Sequence, residues 1–96
     1  MKINIKTQAE KEITLPKFFK VGTNKWAFYK CVGNESVIAV KDYEFEESLA
    51  LAPQIEVIPV RYLAMILNEG VKPISEVEFK TAYLRVSNRI EGLLNG

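Results

Sequence analysis

The sequence predicts an α+β domain: an antiparallel β-sheet of four to six strands with one or two C-terminal helices packed on it. Three observations lead there. Up to about residue 58, short runs of β-branched and aromatic residues alternate with turn residues. Residues 25–45 read as a β-hairpin around Gly33-Asn34, a dipeptide suited to a tight turn. Residues 75–94 begin with a helix-start signal and continue with apolar residues at helical spacing. No repeat, low-complexity segment or linker divides the chain. Residues 1–96 therefore form a single domain, mainly β over 1–58 and mainly helical over 59–96.

Lys2 to Lys6 alternates cleanly and predicts a strand with Ile3 and Ile5 inward. Thr7 to Lys11 is a polar turn, and Glu12 to Leu15 is the returning strand, ended by Pro16. Lys17 to Val21 is either a short strand or an extended connection, and Gly22-Thr23-Asn24 turns into the hairpin. A two-residue loop there pairs Val32 with Glu35, Tyr29 with Ile38 and Trp26 with Lys41. One face then carries Ala27, Tyr29, Cys31, Ile38 and Val40, and the other Trp26, Phe28, Lys30, Val37, Ala39 and Lys41. A three-residue loop shifts the register by one and brings Trp26 and Phe28 onto the face of Ile38 and Val40.

Beyond Phe45 the chain turns acidic, and a solvated rim accounts for Glu44, Glu46 and Glu47 better than a phosphate mimic or a cation site. Ser48 to Ile58 has Leu49, Leu51, Ile55 and Val57 at odd positions with Pro53 between them, which predicts an irregular or edge strand pair. Pro59 fits the first turn of a helix from about Val60 to Glu69, with Gly70 just past its end. That stretch is apolar nearly all round, so a strand is the alternative. Ser75 and Glu78 form a capping box behind Pro73, and Phe79, Tyr83, Val86, Ile90 and Leu93 make one apolar stripe. Glu76 and Glu78 at the start, with Arg85 and Arg89 later, follow the order that the helix dipole favours. A helix from Glu76 to Leu94 results, frayed near Gly92.

Composition limits the chemistry. The net charge is +1, so no global field draws the chain to nucleic acid or lipid, and near-neutral chains are poorly protected against self-association. The single cysteine, Cys31, excludes an internal disulfide and falls mid-strand, where a buried inert thiol is expected. Histidine is absent and Asp42 is the only aspartate, which removes His-based acid–base, triad and metal chemistry. The glycines are isolated, so no phosphate-binding loop is present, and no pair of glutamates has the spacing of a catalytic dyad. The expectation is a non-enzyme without cofactor or metal. Met1 to Lys6 has no secretory apolar region, and the run from Val57 to Leu67 is broken by Pro59 and Arg61 and too short for a bilayer. A cytoplasmic protein without membrane association is expected.

Binding remains. Between residues 17 and 30, Lys17, Phe18, Phe19, Lys20, Lys25, Trp26, Phe28, Tyr29 and Lys30 interleave aromatics with lysines. On a sheet such residues stack on bases and meet phosphates, as single-strand binders require. An antiparallel sheet followed by a helix resembles, in fold alone, the strand-rich single-stranded DNA-binding folds of the Whirly type. The competing reading places Trp26 and Phe28 beneath the C-terminal helix, with the lysines edging the sheet.

Residues 15–45, with Leu-Pro-Lys-Phe-Phe-Lys and Trp-Ala-Phe-Tyr-Lys-Cys-Val, and residues 74–90, with the capped Ile-Ser-Glu-Val-Glu-Phe helix, resemble small uncharacterised proteins encoded by phages and mobile elements of Bacteroides-type gut bacteria. The resemblance lies in strand and helix residues and does not extend over residues 48–70. It implies a setting, an accessory protein in a host cytoplasm, and assigns no functional residue. The leading expectation is a non-catalytic protein–protein interaction or assembly module, self-associating as a homo-oligomer. The alternative is single-stranded nucleic-acid binding. The candidate binding surface is Lys17, Phe18, Phe19, Lys20, Trp26, Phe28, Lys30 and Lys41.

Overall fold

A computed structural model gives the fold and describes residues 3–6, 12–42 and 53–95. Strands β1 (Ile3–Lys6) and β2 (Glu12–Leu15) pair antiparallel as a small sheet of their own. The main sheet has five strands: β3 (Phe18–Val21), β4 (Ala27–Val32), β5 (Ser36–Lys41), β6 (Gln54–Pro59) and β7 (Val71–Pro73). Their order is β6-β5-β4-β3-β7, with every neighbouring pair antiparallel. A 3₁₀ turn (Val60–Leu63) and the single-turn helix α1 (Ala64–Leu67) connect β6 to β7, and α2 (Glu76–Asn95) follows. The expected α+β class, with an antiparallel sheet and C-terminal helices, is the class observed.

The β4–β5 connection corrects the two-residue hairpin. Its loop is Gly33-Asn34-Glu35, so Val32 pairs with Ser36, Tyr29 with Ala39 and Ala27 with Lys41. Gly33 takes a φ of 66°, which glycine adopts without steric cost. Trp26 lies beyond the strand, and its carbonyl accepts the Asp42 N–H at 2.7 Å. The physical reason for the miss is that residues 37–40 are Val-Ile-Ala-Val, apolar at every position. Period-two patterning has nothing to choose between in such a run, and a one-residue slip exchanges its faces.

With the register settled, the sheet has a core on each side. One joins Phe19, Ala27, Tyr29, Cys31, Val37 and Ala39 to Leu15 and to Val60, Leu63 and Leu67 of the turn-and-α1 segment. The other joins Phe28 and Val40 to Phe79, Ala82 and Val86 of α2, with Phe18, Ile38, Ile55 and Ile90 at its margin. The three-residue alternative foresaw Phe28 with Ile38 and Val40. Trp26 instead packs against the Phe19–Tyr29 side, because the chain leaves the strand there.

The helix expected over 60–69 breaks into the 3₁₀ turn and α1. Only Val60, Leu63 and Leu67 are buried, while Tyr62, Met65 and Ile66 are exposed. Gly70 follows at φ 104°, fitting the left-handed stop expected of it. β7 was not expected: it is short enough to read as a connection. The region 48–58 contributes one edge strand from Gln54. Leu49, Leu51, the acidic Glu44, Glu46 and Glu47, the turn at 7–11 and the side-chain directions of Ile3 and Ile5 lie outside the described residues.

α2 starts where the cap predicts. The Ser75 hydroxyl accepts the Glu78 N–H at 3.0 Å, satisfying one orphan donor of the first turn. At its far end the helix continues through Gly92 to Asn95. The buried stripe is Phe79, Ala82 and Val86, with Ile90 partly covered, whereas Tyr83 and Leu93 are exposed. Tyr83 sits on the flank of this stripe between Ala82 and Val86, and for Leu93 helical spacing does not reveal where the sheet beneath ends.

Candidate interaction surface

The aromatic and lysine residues between 17 and 30 fall on both sides of the sheet. Phe19 is 0% exposed and stacks on Tyr29, with ring centroids 5.2 Å apart. Phe28 is 5% exposed beneath α2. Phe18 is partly buried and packs against Phe79 at 5.5 Å. The lysines lie over these rings: Lys20 Nζ sits 4.5 Å from the Phe28 centroid, and Lys17 and Lys30 sit 5.6 and 5.8 Å from that of Phe18. Cation–π attraction and burial together account for the interleaved pattern. Phe19 and Phe28 have no open ring face to offer a base.

Lys41 stands apart from that strip. Its ammonium lies 2.8 Å from Glu56 Oε1, an ion pair linking β5 to β6. Trp26 is half-buried against the Phe19 core, and its N–H and that of Ala27 donate to Asn24 Oδ1 at 2.8 and 2.9 Å. This side-chain turn ends the β3–β4 connection, the use to which asparagine is suited. The Cys31 thiol is buried, donates to the Pro16 carbonyl at 3.2 Å, and burial pushes its pKa up. Such a thiol is a poor nucleophile.

One charged cluster was missed. Asp42 is 0% exposed and accepts from Arg85 Nε, and also from Arg89 Nη1 at 3.4 Å. The arginines are one helical turn apart, so both reach the same carboxylate. This anchor fixes α2 to the end of β5. The available signal was a lone aspartate together with two arginines spaced by four. Choosing between a dipole role and a partner across the fold required knowing which face of the sheet α2 covers.

A lysine-rich cleft lies on the α2 side. A cavity of about 500 Å³ is lined by Lys20, Lys25, Phe28, Glu78, Thr81 and Arg85. Burial pulls Lys20 below the usual lysine range, Lys72 and Lys25 add to that, and Glu78 opposes it. Among the described residues no group of three His, Cys, Asp or Glu side chains is placed to hold a metal ion.

Some of the exposed apolar residues lie at the β6 edge. A groove of about 480 Å³ runs between β6 and the end of α2, lined by Pro53, Ile55, Ile90, Leu93 and Leu94 among others. Leu94 is 81% exposed, and Val57 on β6 is 66% exposed. No helix among the described residues is long and apolar enough to cross a membrane. Comparison with protein families, with curated proteins and with solved structures finds no match to this chain.

Proposed function

We propose that the chain is a non-catalytic binding or assembly module acting through protein–protein contact, above all with itself. The observation that carries this reading is the placement of exposed apolar side chains. Leu93 and Leu94 are exposed at the helix end and line a groove with Ile55 of the edge strand β6, and Val57, two residues on in that strand, is exposed as well. Exposed apolar surface beside an edge strand is suited to an interaction site. The near-zero net charge supports the reading too, since little long-range repulsion keeps copies apart. The setting implied by the sequence resemblance is a phage or mobile element, working in the host cytoplasm.

Single-stranded nucleic-acid binding is the second reading, supported by the cleft lined by Lys20, Lys25 and Arg85. Its weakness is the burial of Phe19 and Phe28, which leaves few rings for stacking. Sedimentation at micromolar concentration together with an oligo-dT titration decides between them. The assembly reading requires a species heavier than the 10.9 kDa chain and Trp26 emission indifferent to DNA. A monomer whose emission is quenched by oligo-dT at low salt, with the quench lost as salt rises, reverses the order.

A further inference from the structure

The edge strand β6 is six residues long, and with its flank it reads Pro53-Gln54-Ile55-Glu56-Val57-Ile58-Pro59. In an antiparallel ladder the backbone groups of alternate residues point to the same neighbour. The Val60 N–H donates to the Glu35 carbonyl at 2.7 Å, continuing the β5–β6 register. Gln54, Glu56 and Ile58 therefore turn their backbone N–H and C=O towards β5. Ile55 and Val57 turn theirs outward, and among the described residues no strand pairs with that edge.

The outward edge has a symmetry of its own. Ile55 and Val57 flank Glu56, each offering a donor and an acceptor. Pro53 and Pro59 stand three residues to either side, and neither has an N–H to offer. Read in either direction from Glu56, the sequence of donors and acceptors is the same. A twofold axis at Glu56 therefore opposes proline to proline and leaves the two residues with full backbone groups facing each other.

We infer that β6 pairs antiparallel with β6 of a second copy, about a twofold axis at Glu56 that sets Ile55 opposite Val57 of the copy. The inference rests on the self-association reading above and names its surface. In this register both residues exchange both hydrogen bonds with their opposites. Moving the axis to Ile55 or to Val57 sets a proline against one of them and leaves that residue's carbonyl facing no N–H. On the α2 side, Ile55 of the copy covers Val57, and Leu93 and Leu94 lie beside the joint. On the other side, Glu56 meets Glu56 of the copy, a repulsion that Lys41 offsets in each chain. The far edge, β7, has only three residues and ends in Pro73, so assembly stops at two.

The test is sedimentation equilibrium of the wild type, Val57→Pro, Val57→Lys and Glu56→Gln. The Val57 N–H faces outward, so proline there breaks no bond to β5, and circular dichroism checks that the fold survives. A dimeric wild type is expected, weakened at least about tenfold by Val57→Pro. Val57→Lys, which puts a charge on the edge, is expected to weaken it too and decides the matter if the proline variant unfolds. Glu56→Gln is expected to tighten the dimer a few-fold by removing the opposed charges. A folded Val57→Lys protein that dimerises like the wild type overturns the β6 interface while leaving self-association standing. A wild type that stays monomeric at the highest concentration overturns both.

Discussion

The two edges of the main sheet are built differently, although both contain proline. In β7 the proline is one of three strand residues, and the chain on either side is tied inward. The Gly22 N–H donates to the Gly70 carbonyl at 2.8 Å at one end, and the Ile74 N–H donates to the Phe18 carbonyl at 3.1 Å at the other. Ser75 then caps α2. In β6 the prolines bracket the strand, and among the described residues no strand pairs with the outer side of its middle. Proline content alone therefore does not close an edge. Where the proline stands, and how many residues it leaves between, decides whether another strand fits.

Substitutions at the contacts that hold the elements together should act on the fold, and those on the open edge on assembly. The largest effect is expected at Asp42, which holds α2 as it crosses from the side of β3 to the side of β6. Asp42→Ala removes the buried carboxylate that two arginines donate to and should cost about 2–3 kcal/mol in chemical denaturation. Gly22→Ala comes next. At a φ of 58° an alanine costs about 1–2 kcal/mol, and its Cβ would stand 3.0 Å from Glu69 Oε2, crowding the β7 closure further. Ser75→Ala should cost about 0.5–2 kcal/mol through the lost cap. Val57→Lys should change the stability of the isolated chain by less than about 0.5 kcal/mol, since its side chain is exposed. A Val57→Lys chain destabilised as much as Gly22→Ala would abolish the distinction between the edges.

Much of the fold was legible. The capping serine, the alternation over β1 and the turn glycines each announce an element through local chemistry, which a sequence carries in full. What stayed hidden depends on contacts distant in sequence. The uniformly apolar Val37–Val40 run fits either face, so the hairpin register waited on what lies above and below it. Asp42 looked unremarkable until α2 placed Arg85 and Arg89 over it. The candidate surface was legible as a composition and not as a place. The aromatics adjacent to lysines in sequence proved to be rings divided between two cores, with ammonium groups over Phe18 and Phe28. Ile55 and Leu94, remote in sequence, line one groove that no local pattern foretells.

Amide hydrogen exchange at Ile55 and Val57, followed at two protein concentrations, tests the central claim most directly. These N–H groups point away from β5, so in a lone chain they exchange with the solvent-exposed backbone, while those of Glu56 and Ile58 are protected within the ladder. Pairing of β6 with its copy predicts that Ile55 and Val57 become protected as concentration rises, with Glu56 and Ile58 slow throughout. Fast exchange at Ile55 and Val57 in a sample shown to be dimeric contradicts it.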